Sequence, residues 1–368
     1  MKVLFTTNIP SPYRINFFNE LSNYCELTVV CERKLAKNRN KEWLDNKKIK
    51  FNIEFLNGIN IGNDGAFCLD IIRFLKDESF DIIVIGGYST PTGMIAIEWL
   101  KRHRKKFILN SDGGFIKEES KLKYKIKKYF ISSAKAWLST GDPTRKYLEH
   151  YGADRKNIYN YPFSSINRDD IIDINSIDKK KIKEQIGIKE EKIILSIGRM
   201  IYGKGFDILI KAMSEMNQEN VGLYIIGGKP IEEYTALVEK LKLKNVHFID
   251  FKQKKELSEF YEMADVFAFP TREDIWGLVV NEAMAAGLPV ITTDRCIAGQ
   301  ELIENEINGY IIETNNVQQL KESIEKILNN DQLRILMAKN NIEKIKTYTI
   351  ENMAIEHIKI FKKIIEEK

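Results

Sequence analysis

Short apolar runs alternate with helically spaced stretches along the whole chain. In the first half Val3–Thr6, Leu27–Cys31, Ile49–Phe55, Ile82–Ile85, Phe107–Leu109 and Ala136–Leu138 read as strands. They are too short for helices and are bounded by polar, glycine or proline positions. Helical spacing fills the intervals at Arg14–Tyr24, Cys68–Leu75, Met94–Arg102, Lys121–Phe130 and Thr144–Tyr151. The second half repeats the rhythm, with strands at Ile193–Ile197, Leu223–Ile226, Val246–Ile249, Val266–Phe269 and Val290–Thr292. A helix begins at Phe206, and others cover Leu320–Leu328, Leu333–Ile345 and Ile350–Ile365. Such alternation predicts an α/β chain of doubly wound parallel sheets, in which ligands lie beyond the carboxyl ends of strands. Residues 163–180 are polar and lack a period, which predicts a linker between two domains, 1–165 and 166–349.

Residues 266–292, VFAFPTREDIWGLVVNEAMAAGLPVIT, carry the densest pattern. Pro270 and Thr271 end the strand. Asp274 is suited to open a helix, because its carboxylate can accept from free backbone N–H groups, and Gly287 ends it. This predicts a helix N-terminus at the carboxyl end of a strand, a ready site for a phosphate. Asp274 stands at the mouth of the helix, with Glu282 about two turns inside. A carboxylate that deep needs donors, and ribose or sugar hydroxyls supply them. Gly198-Arg-Met-Ile-Tyr-Gly-Lys-Gly205 follows another strand, and the cations Arg199 and Lys204 on that glycine-punctuated loop suit a pyrophosphate.

Both motifs resemble the family-4 glycosyltransferases, retaining enzymes of the two-Rossmann GT-B architecture. The family pattern E-x-F/W-G-L-V-x-x-E-A-M-A-x-G-x-P-V-I is matched here by D-I-W-G-L-V-V-N-E-A-M-A-A-G-L-P-V-I. The departure is at the first acid, where Asp274 replaces Glu and Glu273 stands next to it. G-R-x-x-x-x-K-G is the family's diphosphate grip, which gives Arg199 and Lys204 that role. The resemblance implies two Rossmann-like domains facing across a cleft, with the closing helix 350–368 crossing back onto the first. It implies transfer of a sugar from a nucleotide-sugar, UDP-linked before GDP-linked, to an acceptor hydroxyl with retention and without a metal. Asp274 would bind sugar hydroxyls and Glu282 the ribose. Ile275, Trp276, Gly277 and Leu278 would place the helix N-terminus at the phosphates, with Gly198, Gly227, Gly228, Phe251 and Lys252 around the nucleotide.

The acceptor side falls to the first half. Where many relatives have a Gly-rich loop after the first strand, this chain offers Tyr13 and Arg14. Arg14 either touches a phosphate or lies on the helix surface. Tyr88 sits in the Gly-Gly-Tyr-Ser-Thr loop, either an acceptor loop or a plain turn. Where relatives place a histidine against the donor sugar, this chain has Ser111 and Asp112. Asp112 either binds sugar hydroxyls or stabilises the turn before Gly113.

Charge adds one more expectation. The net +5 is uneven: residues 1–165 hold 28 Lys and Arg against 18 Asp and Glu, the rest 29 against 34. Much of the excess lies in Lys117–Trp137. There Leu122, Ile126, Tyr129 and Phe130 share a helix face among lysines. This face either covers the sheet or lies on anionic lipid, which suits a lipid-linked oligosaccharide acceptor in cell-surface polysaccharide synthesis. No run of 18 apolar residues occurs, the start lacks a signal-peptide shape, and four scattered cysteines fit a reducing compartment. A cytoplasmic enzyme is expected, on the inner face of the cell membrane if the basic helix docks there. The rivals are a nucleotide-sugar epimerase of the same fold, a non-catalytic nucleotide-sugar-binding subunit and a nucleic-acid-binding protein. Nucleic acid is set aside as a partner because the aromatics sit at core positions rather than in a stacking cluster.

Overall fold

The computed structural model describes residues 1–34, 48–216, 218 and 220–367. Lys368, the last residue of the expected closing helix, lies outside them. The chain forms two compact units, Met1–Ser165 with Tyr348–Lys368, and Ile166–Thr347.

The first unit runs β1 (Lys2–Thr7), α1 (Pro12–Leu21), β2 (Glu26–Cys31), β3 (Asn52–Phe55), β4 (Ile59–Ile61), β5 (Gly65–Phe67), α2 (Ile71–Lys76), β6 (Ile82–Ile85), α3 (Pro91–Arg102), β7 (Ile108–Ser111), α4 (Lys121–Ile131), β8 (Ala136–Ser139), α5 (Asp142–His150) and β9 (Ile158–Asn160). Apart from the antiparallel β4–β5 hairpin, the strands form one sheet ordered β3-β2-β1-β6-β7-β8-β9. All its pairings are parallel. The central strands are apolar on both faces because helices cover both sides. α3 starts three residues before the expected Met94: Thr90 accepts from Gly93 N–H and Pro91 occupies the first turn, the preferred residues for those positions.

The second unit runs α6 (Lys179–Ile186), β10 (Lys192–Ile197), α7 (Phe206–Met216), β11 (Val221–Ile226), α8 (Glu232–Lys240), β12 (Val246–Ile249), α9 (Lys254–Met263), β13 (Val266–Phe269), α10 (Leu278–Ala285), β14 (Val290–Thr293), α11 (Ile297–Leu302), β15 (Gly309–Ile312), α12 (Val317–Leu328) and α13 (Asp331–Ile345). Its sheet is ordered β12-β11-β10-β13-β14-β15. α6 begins inside the stretch read as a linker, where Asp178 caps it by accepting from Lys181 N–H. The last helix, α14 (Ile350–Glu366), packs on α1 in the first unit. No helix among the described residues is long and apolar enough to cross a membrane.

In both sheets the chain winds outward in opposite directions from two central strands, β1 and β6 in one and β10 and β13 in the other. The loops after those strands diverge and leave a crevice at the carboxyl ends, the usual ligand position in open α/β sheets.

α4 corrects one expectation. The four apolar residues expected on one face are divided: Phe130 packs against the core, and the other three do not cover the sheet. Leu122, Ile126 and Tyr129 are 69, 42 and 43% exposed. The side turned to the core carries Tyr124, Lys127 and Ile131. Lys127 lies inward because its ammonium reaches the Glu119 carboxylate at 2.7 Å and the Tyr151 hydroxyl at 3.0 Å.

Candidate functional site

The loops after β10 and β13 form one construction. Gly205 takes φ 70°, and a Cβ on it would meet the Pro270 carbonyl at 2.0 Å, so only glycine lets the two loops close. Gly203 O accepts from Arg272 N at 2.8 Å and from Thr271 Oγ1 at 3.0 Å. The Arg272 guanidinium forks onto both Asp207 oxygens at 2.8 Å and stacks 3.7 Å over the Tyr202 ring. Burial works against the Asp207 carboxylate, but the Arg272 fork outweighs it and holds the group below the usual carboxylate range.

This clamp places Lys204 against Asp274, whose Oδ2 takes the ammonium while Oδ1 accepts from Trp276 N at 3.3 Å. The Phe269 ring lies 5.0 Å from the Lys204 nitrogen. Arg199, five residues earlier, is exposed and has no carboxylate partner among the described residues. Gly198 precedes it, and its N–H donates to Ile226 O at 2.9 Å, which sets Gly227 and Gly228 beside the same loop.

The helix after β13 starts later than expected. Asp274 does not open it. Asp274 instead bridges to Cys296, just before α11, and residues 275–276 bend away: Asp274 N donates to Arg295 O at 2.9 Å, and Ala298 N, in the first turn of α11, to Trp276 O at 2.9 Å. Gly277, at φ 95°, then turns the chain into α10. Glu282 therefore sits about one turn inside the helix, not two. The N–H groups of Leu278 and Val279 find no acceptor among the described residues. The turn thus presents two open donors at the positive end of α10, one loop away from Lys204.

The remaining expected donor residues are dispersed around this centre. Glu282 accepts from Tyr261 at 2.9 Å, and burial first, then the Glu282 charge, pushes the Tyr261 phenol up. Trp276 is buried and donates to Asn281 Oδ1 at 2.7 Å, so its side chain belongs to the core and only its backbone faces the loop. Ile275 is exposed. Glu273 is exposed and pairs with Arg295 at 3.1 Å. Beyond edge strand β12, Phe251 is exposed and Lys252 pairs with Glu256 at 2.9 Å. Cys296 backs the turn, its thiol 3.1 Å from Trp276 O and pushed up to about 12 by burial and then by Asp274.

In the first unit the first turn of α1 and the loop after β7 meet through Arg14 and Asp112, which form an ion pair. Arg14 is not on the helix surface; it is 7% exposed. Burial opposes its charge, but Asp112, Tyr13 and Tyr161 outweigh it and raise its pKa. Asn110 donates to Asp112 at 3.2 Å and accepts from Tyr161 at 3.1 Å. Tyr13 packs edge-on to Phe163. Tyr88 is half-buried after β6 and shares a hydrogen bond with the Tyr147 hydroxyl.

Sequence reasoning missed Arg272, Asp207, Tyr261 and Asn110. Arg272 lies within the densest motif and Asp207 three residues beyond Lys204, but their fork spans 65 positions and leaves no local signature.

Residues 178–344 match the family description "Glycosyl transferases group 1". An uncharacterized glycosyltransferase of Methanocaldococcus jannaschii is 31% identical over 53% of this chain, which spans about half of that relative, 51% of its length. The N,N'-diacetylbacillosaminyl-diphospho-undecaprenol alpha-1,3-N-acetylgalactosaminyltransferase of Campylobacter jejuni is 22% identical over 80% of each chain. Among solved structures, Anabaena HepE in complex with UDP and glucose superposes with a TM-score of 0.75 at 16% identity, covering 100% of this chain and 99% of that one. The fold is therefore the two-Rossmann GT-B fold, and residues 178–344 of its second unit are similar to the group 1 glycosyl transferases.

Proposed function

We propose that the chain is a retaining glycosyltransferase that moves a sugar from a UDP-linked donor to a hydroxyl of a glycan or lipid-linked acceptor. The observation that carries this is the cluster at the β10–β13 switch point: Lys204 held by Asp274, Arg199 exposed beside it, and two open amides at the start of α10. Two cations and two N–H groups converging there suit a diphosphate.

In the reaction the acceptor oxygen bonds to the anomeric carbon as the bond from that carbon to the β-phosphate oxygen breaks. Negative charge grows on the leaving phosphate, and fixed donors stabilise it more than they stabilise the bound donor sugar. Arg199 and Lys204 fill that role, with the Leu278 and Val279 amides beside them. The acceptor proton passes to the departing diphosphate, which leaves as UDP, and attack on the same face retains configuration. Asp274 has lone pairs left for a sugar hydroxyl beyond those used by Lys204 and Trp276 N. Glu282, steadied by Tyr261, takes the ribose, and the first unit takes the acceptor.

Support for UDP comes from the Anabaena structure's bound UDP, and for a lipid-linked acceptor from the Campylobacter relative's name. Thermal-shift screening against nucleotide-sugars identifies the donor. Lys204→Ala and Glu282→Ala each abolish transfer with folding intact, and wild-type turnover in either variant refutes the assignment. Product formed without any acceptor would favour an epimerase.

A further inference from the structure

We infer that the outward face of α4 is a docking surface for an anionic lipid bilayer. Leu122, Ile126 and Tyr129 recur at the spacing of one helix stripe, and that stripe is the one turned to water. A helix packed on a soluble sheet places such a stripe inward. Here the inward side is occupied by Tyr124, Ile131 and Lys127, with Lys127 satisfied by Glu119 and Tyr151. The exposed stripe is thus not left over from an incomplete core, because the core side of the helix is already filled.

Charge selects the occupant. Lys121, Lys125 and Lys128 flank the stripe on one side and Lys123 on the other, all exposed. The end of α3 adds Lys101, Arg102, Arg104 and Lys106, and Lys101 lies 3.5 Å over the Tyr129 ring, which joins the two helices. Among nearby acids, Glu98 is occupied by Arg102 and Tyr129, and Glu118 is exposed. An apolar ridge with basic shoulders matches the boundary between headgroups and acyl chains, with the ridge in the hydrocarbon and the lysines at the phosphates. A second copy of the same face would bring lysines against lysines. A nucleic acid would satisfy the lysines but leave Leu122 and Ile126, which stack no base, against water.

The inference deepens the lipid-linked acceptor reading but does not use the donor site, so its test needs no nucleotide. The full chain is floated with vesicles of phosphatidylcholine alone or mixed with phosphatidylglycerol, at low and high salt. Binding is expected only to the mixed vesicles and to weaken with salt. Leu122→Ser with Ile126→Ser, both at exposed positions, is expected to reduce it at least about tenfold, as is Lys121→Glu with Lys125→Glu. Ile335→Ser, on an exposed position of the second unit, is expected to leave it unchanged. Absence of binding, equal binding by all variants, or equal loss in the Ile335 control overturns the inference. So does self-association that depends on Leu122 and Ile126 without vesicle binding, or a salt-sensitive shift with RNA that vesicles do not compete. Transfer to a soluble acceptor by the Leu122/Ile126 variant keeps the failure of this inference apart from failure of the transferase reading.

Discussion

Arg14 and Asp112 lie 98 positions apart, and their ion pair decides what each can do. The Arg14 side chain is 8% exposed and that of Asp112 32%. Removing one partner of a pair costs most when it strands the more deeply buried charge. Asp112→Ala is expected to destabilise the first unit by about 3 kcal/mol, because the guanidinium loses its only close counter-charge among the described residues. Arg14→Met is expected to cost about 1 kcal/mol, because water reaches the remaining carboxylate. The double variant should recover much of the larger loss. Urea unfolding followed by tryptophan fluorescence measures all three, and equal single-variant costs would contradict the burial argument. Neither residue's position was legible in the sequence. Arg14 read as a phosphate ligand or a surface cation, and Asp112 as a sugar ligand or a turn residue, because local pattern carries no term for a partner from another strand's loop. The placement of Lys204 and Arg199 on one loop after β10 was legible, since glycine spacing, charge and a preceding strand lie within one short window.

At the scale of elements, the strands of both sheets except the edge strands β9 and β15 were written in the hydrophobic pattern. What the pattern could not show is how the loops after β10 and β13 are tied. Asp274 looked like a helix cap because its chemistry suits one; pairing with the segment before α11 keeps it extended and delays α10 to Leu278. The β4–β5 hairpin was also missed, because its strands are three residues each and carry exposed Ile59, Ile61 and Phe67. For α4 the pattern left open whether its apolar stripe covers the sheet or faces outward, since periodicity gives a stripe but not the direction it points. The loop tie itself is testable. Arg272→Lys keeps the charge but loses the planar fork onto Asp207 and the stacking on Tyr202. Lys204 then sits on a loosened loop, and in the proposed role a small misplacement of its charge costs up to about a hundredfold in rate. The expected result is a fall of about ten- to a hundredfold in kcat/KM, with a smaller loss in thermal stability. Unchanged kcat/KM would mean the loop holds Lys204 without the clamp.

At the scale of the whole molecule, the chain leaves the first unit after Ser165 and re-enters it at Tyr348, so α14 seals a sheet built from the other end of the sequence. Only the family resemblance suggested this return, because nothing in the spacing of α14 names the surface it covers. His357 is the seal's weak point. It is fully buried, packed against the rings of Phe17, Tyr161 and Phe361. Its Nδ1 donates to Met353 O at 2.8 Å, which leaves Nε2 unprotonated and without a partner among the described residues. Burial lowers its pKa to about 4, the Met353 carbonyl opposes that shift, and Arg14 adds to it. The unfolded chain takes up this proton near pH 6.5, the folded one only near 4. The unfolded state therefore binds more protons across that window, and stability falls as pH drops through it. From 6.5 down to 4 the loss from this one group is about 3 kcal/mol. Melting of the first unit should fall steadily over that range while the wild-type curve above pH 7 stays flat with respect to this group. His357→Leu removes the titration and the orphaned nitrogen together, and its melting temperature should depend less on pH between 6.5 and 4. An unchanged slope in the variant would move the acid sensitivity elsewhere in the molecule. A flattened slope would show that docking of the last helix, and with it the integrity of the first sheet's α1 face, is set by one neutral imidazole.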